Sequence, residues 1–233
     1  MKKLILSAII CASLIIPNIT LGAKTLAVDP GKLQNLGATM IDKRVAAIAK
    51  YDSLLAKTKY VTETTLTQVR GELSRVSSEL GTLKTKIQGE TDIAILKADI
   101  KSIVNNYRVY QVFLPQSAGI VSVDRMKTYE AKLNELKNKI SQKADELEGQ
   151  GKDASAIRNL ISLAEGNIST GTGHIATAES KFTSMTIADP EGARTLKLEG
   201  RTALISAKQS FSEARKNMRD AVQEIKKLAQ PGI

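Results

Sequence analysis

The sequence predicts an all-α fold, an elongated antiparallel helical bundle of about six long amphipathic helices with coiled-coil-like seams. Three observations predict it. Apolar residues recur at alternating spacings of three and four along most of residues 29–228, which is the period of one helix face. Helix-starting and helix-stopping residues fall between these runs, at Asp29-Pro30, Gly89, Pro115, Gly149-Gln150-Gly151 and Asp189-Pro190. No stretch carries a convincing strand pattern, and the nearest, Ile120-Val121-Ser122-Val123, reads more easily as a helix entrance.

Residues 1–23 read as a signal peptide. Lys2 and Lys3 precede an uncharged apolar run, Leu4 to Ile16, which Pro17 and Asn18 break before the small residues Gly22-Ala23. Cleavage is expected near Ala23. The run is short against the ~20 residues of a membrane span, so retention as an anchor is the alternative. Cys11 lies inside the apolar run, where a lipidated cysteine would not. Residues 24–233 are then expected to form a single helical domain, with 29–115 and 116–228 as sub-bundles, and to be extracytoplasmic: secreted, periplasmic or at the cell surface. No transmembrane span is expected in this mature chain.

The first helix opens with Asp29 as N-cap and Pro30 at the first helical position, where its missing N–H costs nothing. Leu33, Leu36, Met40, Ile41, Val45, Ile48 and Leu55 carry it to about Lys59. The second, about Thr62 to Gln88, has the cleanest pattern: Leu66, Val69, Leu73, Val76, Leu80, Leu83 and Ile87. A stripe this narrow suits coiled-coil packing. Gly89 should close it, with Thr91 or Asp92 capping the third helix.

That third helix is the apolar centre of the chain, with Ile93, Leu96, Ile100, Ile103, Tyr107, Tyr110 and Leu114 in one register. Pro115 should end or kink it near Phe113. A hairpin with the second helix is expected. The fourth helix starts between Pro115 and Asp124 and reaches about Glu148, with Ala144 replacing Lys143 in its seam. The fifth, about Asp153 to Met185, alternates large and small residues, Gly171 among them, which permits close helix approach or leaves a weak place, and Ser169-Thr170-Gly171-Thr172-Gly173 is a place for a kink. The sixth runs from Pro190 to about Leu228.

Composition excludes several chemistries. The only cysteine, Cys11, lies in the leader, so the mature chain has no disulfide and no thiolate metal site. His174 is the single histidine, which leaves histidine-based zinc sites and catalytic triads without material. Tryptophan is absent and aromatics are 3%, against a stacking platform. Losing Lys2 and Lys3 lowers the net charge of +10 by two, and the surplus sits at the ends of the mature chain, in residues 24–59 and 188–233. In an extracytoplasmic setting that charge favours anionic polymer, lipid surfaces or nucleic acid.

Two constellations stand out. Arg194, Arg201, Lys208 and Arg215 recur every seven residues, ~10.5 Å apart along one flank of the last helix, as a basic interaction face. Such a row equally suits ion pairing with the neighbouring helix or plain solvation. Tyr107, Arg108 and Tyr110 form an aromatic patch, read either as a pocket or as a continuation of the seam. Gly171-Thr172-Gly173 lacks the strand–helix context of a phosphate loop. The Asn167-Ile168-Ser169 sequon lies within a helix. Asp145, Glu146 and Glu148 point in different directions, unlike a general acid–base pair. No catalytic residue, cofactor, metal or small-molecule substrate is expected, and the chain does not read as an enzyme.

The segment Asp92 to Ile100, leading into Tyr107-Arg108-Val109-Tyr110 and Leu114-Pro115-Gln116 behind a signal peptide, resembles an uncharacterised group of secreted, coiled-coil-rich α-helical proteins from candidate-phylum bacteria. The resemblance implies a helical extracytoplasmic protein and brings no activity. The expectation is a non-enzymatic structural or protein-interaction bundle of the cell envelope, meeting a protein partner or a second copy through helical faces. The alternative is an electrostatic binder of anionic envelope polymer, lipid surface or nucleic acid through the basic first and last helices.

Overall fold

Asp29 accepts a hydrogen bond from the Gly31 amide at 2.9 Å and opens α1 (Pro30–Leu55). Thr62 does the same through the Thr65 amide for α2 (Glu63–Gly89), and Asp92 accepts from the Ala94 and Ile95 amides to open α3 (Ile93–Asn105). A π-helical turn (Val109–Phe113) leads into α4 (Leu114–Gly149), followed by α5 (Ser155–Thr183) and α6 (Pro190–Ala229). These elements belong to a computed structural model that describes residues 29–229, and among the described residues there is no strand. The protein is all-α, with five long helices packed against each other. The leader, its cleavage site and the terminal Gln230-Pro231-Gly232 lie outside the described residues.

Two hydrophobic cores follow one another along the chain. The first joins α1, α2 and α3 through Ile41, Ile48, Leu73, Leu80, Leu96 and Ile103, and takes in Val109 from the π turn and Leu114 and Val121 from the start of α4. The second joins α4, α5 and α6 through Leu133, Ile140, Ile157, Ile175, Phe211 and Met218, with Val112 from the π turn. Ile120 packs against both. Each fully buried aliphatic side chain contributes ~1.5–3 kcal/mol, so packing holds these helices more than propensity does.

The third helix is where the structure departs most from the sequence reading. It ends at Asn105, well before Phe113, and Pro115 stands in the first turn of α4 instead. Asn105 and Asn106 compete for backbone hydrogen bonds and favour a helix end. Arg108 then adopts a left-handed conformation at φ 35°, ψ 44°, which reverses the local path. The amide of Leu114 donates to Val109, five residues back, so the turn is wider than an α-turn. That width relieves Pro115, whose ring in an α-helix would clash with the carbonyl four residues before it. Tyr107 and Tyr110 therefore do not extend the seam of Ile93 to Ile103.

Nor do α2 and α3 form a closed pair. Both pack chiefly on α1, and α3 meets α1 more extensively than it meets α2. Gly37 makes this close approach to both partners: its missing side chain leaves room for Ile87 of α2 and Ile100 of α3. The expected weak place in α5 is also absent, because the helix runs unbroken through Ser169–Gly173.

Candidate interaction face

α6 buries Ala193, Gly200, Ala203, Ala207, Phe211, Ala214, Met218 and Ala221 along one side. Small residues dominate that seam, which lets α5 approach closely: a carbon added at Gly200 would press on Phe182 of α5, and one added at Gly171 would strike Phe211 of α6. Arg194, Arg201, Lys208 and Arg215 are all exposed on the outer side, rather than beside the seam. None of the four makes an ion pair among the described residues. Two acids of α6 are engaged elsewhere: Glu199 with Lys181 of α5 at 2.9 Å, and Glu224 with Lys227 at 2.6 Å. Of the cations on α1, by contrast, Arg44 is buried, donates to the Met40 carbonyl at 2.8 Å, and has its charged form disfavoured by desolvation. Lys32, Lys43 and Lys50 of α1 are exposed and make no ion pair among the described residues either, and it is on the last helix that the cations form a row at seven-residue spacing.

The structure splits the aromatic patch. Tyr110 turns toward α1, where its hydroxyl donates to the Lys43 carbonyl at 2.9 Å and Arg44 lies 5.5 Å from its ring centroid. Arg108 reaches the far side, donating through Nε to the Ile187 carbonyl at 3.1 Å. Gln116 Nε2 donates to the carbonyls of Phe182 and Met185, satisfying the end of α5. All three tie the elbow between the two cores to its neighbours.

Tyr107 alone faces a cleft, of about 470 Å³, between α2 and this elbow. Glu72, Arg75, Glu79, Phe113 and Ile120 also line it. Burial, and to a lesser degree the charge of Glu79, push the Tyr107 phenol up. Arg75 is held by Glu72 at 2.9 Å and Glu79 at 2.7 Å, which raises its own pKa and leaves its charge already neutralised. The cleft therefore offers no free cation for an anionic ligand and no pair of carboxylates released for proton transfer.

Among the described residues no group of three or more His, Cys, Asp or Glu side chains is placed to hold a metal, and no helix is long and apolar enough to cross a membrane. His174 and Asn167 both sit within the regular α5. Two features escaped the sequence reading. Leu198 and Ile205 are 65% and 64% exposed on the outer side of α6, between the basic residues, although their seven-residue spacing matches that of the arginines. Asp99 is buried in α3 and paired with Lys86 of α2 at 2.8 Å, a polar position in an otherwise apolar seam. No protein-family model, curated protein or solved structure matches this chain.

Proposed function

We propose that this chain is a non-enzymatic, extracytoplasmic interaction bundle that holds the outer face of its last helix against an anionic partner. In this reading the bundle is elongated and antiparallel, with coiled-coil-like seams. The carrying observation is the row Arg194, Arg201, Lys208 and Arg215, exposed and without ion pairs among the described residues. Charge held away from the protein's own carboxylates is available to another molecule.

Self-association through apolar seams is less well supported. The narrow seam that suits coiled-coil packing, Val69, Leu73, Val76 and Leu80 of α2, is buried within the chain. The experiment is retention of residues 24–233 on native envelope material. Retention should fall with salt, and charge reversal of the four residues to glutamate should abolish it. Retention and a salt slope indistinguishable from those of the parent would overturn the proposal.

A further inference from the structure

The outer face of α6 carries more than a row of charge. On a helix of 3.6 residues per turn, every lysine and arginine of α6 falls within an arc of about 120° centred on Arg194. Of the acids, only Glu191 falls inside it; Glu199, Glu213, Asp220 and Glu224 lie on the flank between this arc and the buried seam. Leu198 and Ile205 stand inside the same arc, ~10.5 Å apart, with Arg194, Arg201 and Lys208 on either side. They are the most exposed large apolar side chains among the described residues.

Solvation alone explains the cations but not two leucine-sized side chains held in water among them. An anionic polymer in water would pair with the cations and leave Leu198 and Ile205 unused. A flat surface with anionic groups above and hydrocarbon beneath uses both sets. Arginine and lysine stems lie along the apolar boundary while their heads meet phosphates. The apolar tips enter between them, the arrangement of a helix lying in the plane of an interface.

Resting on the reading of α6 as the interaction face, we infer that its partner is an anionic phospholipid surface. Leu198 and Ile205 enter the headgroup region, and Arg194, Arg201, Lys208 and Arg215 contact the phosphates. The helix lies on the surface and does not span it.

The test uses residues 24–233, so that the apolar leader cannot itself insert. The chain has no tryptophan, so Leu198→Trp provides a single reporter at the predicted depth, with Ser78→Trp on α2 as control. With vesicles of phosphatidylglycerol and phosphatidylcholine, the Leu198→Trp emission should shift to the blue and be quenched by brominated acyl chains. The control should not respond, nor should either variant with phosphatidylcholine alone. Reversal of the four cations to glutamate should weaken binding by at least about a hundredfold, since each contributes roughly 1 kcal/mol near such a surface. Leu198→Asn with Ile205→Asn should weaken it about tenfold with all charges in place. These positions are exposed, so circular dichroism should report an intact fold.

Absence of a blue shift, or vesicle binding that ignores the paired asparagines, overturns the lipid assignment. Polyphosphate binding as tight as vesicle binding does the same. Charge-dependent retention on envelope material without vesicle binding would leave the interaction face standing and give it a different partner.

Discussion

Gly171 of α5 lies against the ring of Phe211 of α6, so closely that a side-chain carbon at position 171 would overlap the ring. Two residues further on, Gly173 has nothing within 4 Å of the same position. Alanine should therefore act in opposite directions at neighbouring glycines of one helix. Gly173→Ala gains helix propensity and should stabilise by about 1 kcal/mol. Gly171→Ala gains the same propensity but forces Phe211 out of place, and should cost ~1–3 kcal/mol net. Urea midpoints of the two variants check this, and two shifts of the same sign would contradict the packing described.

That pair also marks the limit of what the sequence revealed. The repeating apolar spacing located the long helices and most of their buried positions, from Val69 and Leu73 to Phe211 and Met218. It placed Gly171 in the seam of the fifth helix but left open whether a small residue there permits close approach or weakens the helix, because propensity is a local property. Whether a glycine is a defect or a fitted space depends on the residue that arrives opposite, and Phe211 is 40 positions away from Gly171. The elbow failed for a related reason. Tyr107 and Tyr110 continue the three-four register, yet a left-handed residue at Arg108 resets the helix phase without interrupting the apolar pattern. On α6 the four cations were visible by spacing. Their freedom from ion pairs was not, since it depends on which carboxylates the neighbouring helices present.

Tyr51 carries a hydroxyl that is buried without a hydrogen-bond partner among the described residues. Burial raises its pKa above the ordinary value of 10.0. A folded-state pKa above the unfolded one means that the contribution is complete below pH ~10 and is lost as pH rises beyond it, when the unfolded chain ionises first. Tyr51→Phe should remove this alkaline loss. It should also leave stability at neutral pH unchanged or higher by up to about 1 kcal/mol, because an unpaired polar atom is removed. Unfolding midpoints at pH 7 and pH 11 measure both effects.

Arg158, near the start of α5, gathers the end of α4. Its guanidinium donates to Glu148 at 3.0 and 2.7 Å, to the Ser141 hydroxyl at 3.2 Å, and to Asp145. The hydrogen bond from Arg158, more than its charge alone, holds the Glu148 carboxyl below the usual range. A depressed folded pKa gives stability that is present above the unfolded pKa and lost as pH falls through the folded one. Arg158→Met should therefore reduce stability at neutral pH and flatten its fall between pH 5 and pH 3. A variant whose acid profile parallels that of the parent would show that the clamp contributes nothing measurable, as many exposed ion pairs do.

Arg108 tests the elbow that separates the two cores. Its left-handed backbone costs a non-glycine residue roughly 1–2 kcal/mol, while its side chain contributes the 3.1 Å hydrogen bond to the Ile187 carbonyl. Glycine at this position would relieve the strain and lose a hydrogen bond of about 1 kcal/mol, so Arg108→Gly should change stability by less than ~1 kcal/mol. Valine would lose the same bond and add a branched side chain in a conformation it resists, so Arg108→Val should cost ~2 kcal/mol or more. The gap between the two variants isolates backbone strain from side-chain contacts, because neither can reach Ile187. If their thermal midpoints coincide, the backbone at 108 is not left-handed, and α3 would then be free to run on toward Pro115 as the apolar spacing alone suggests.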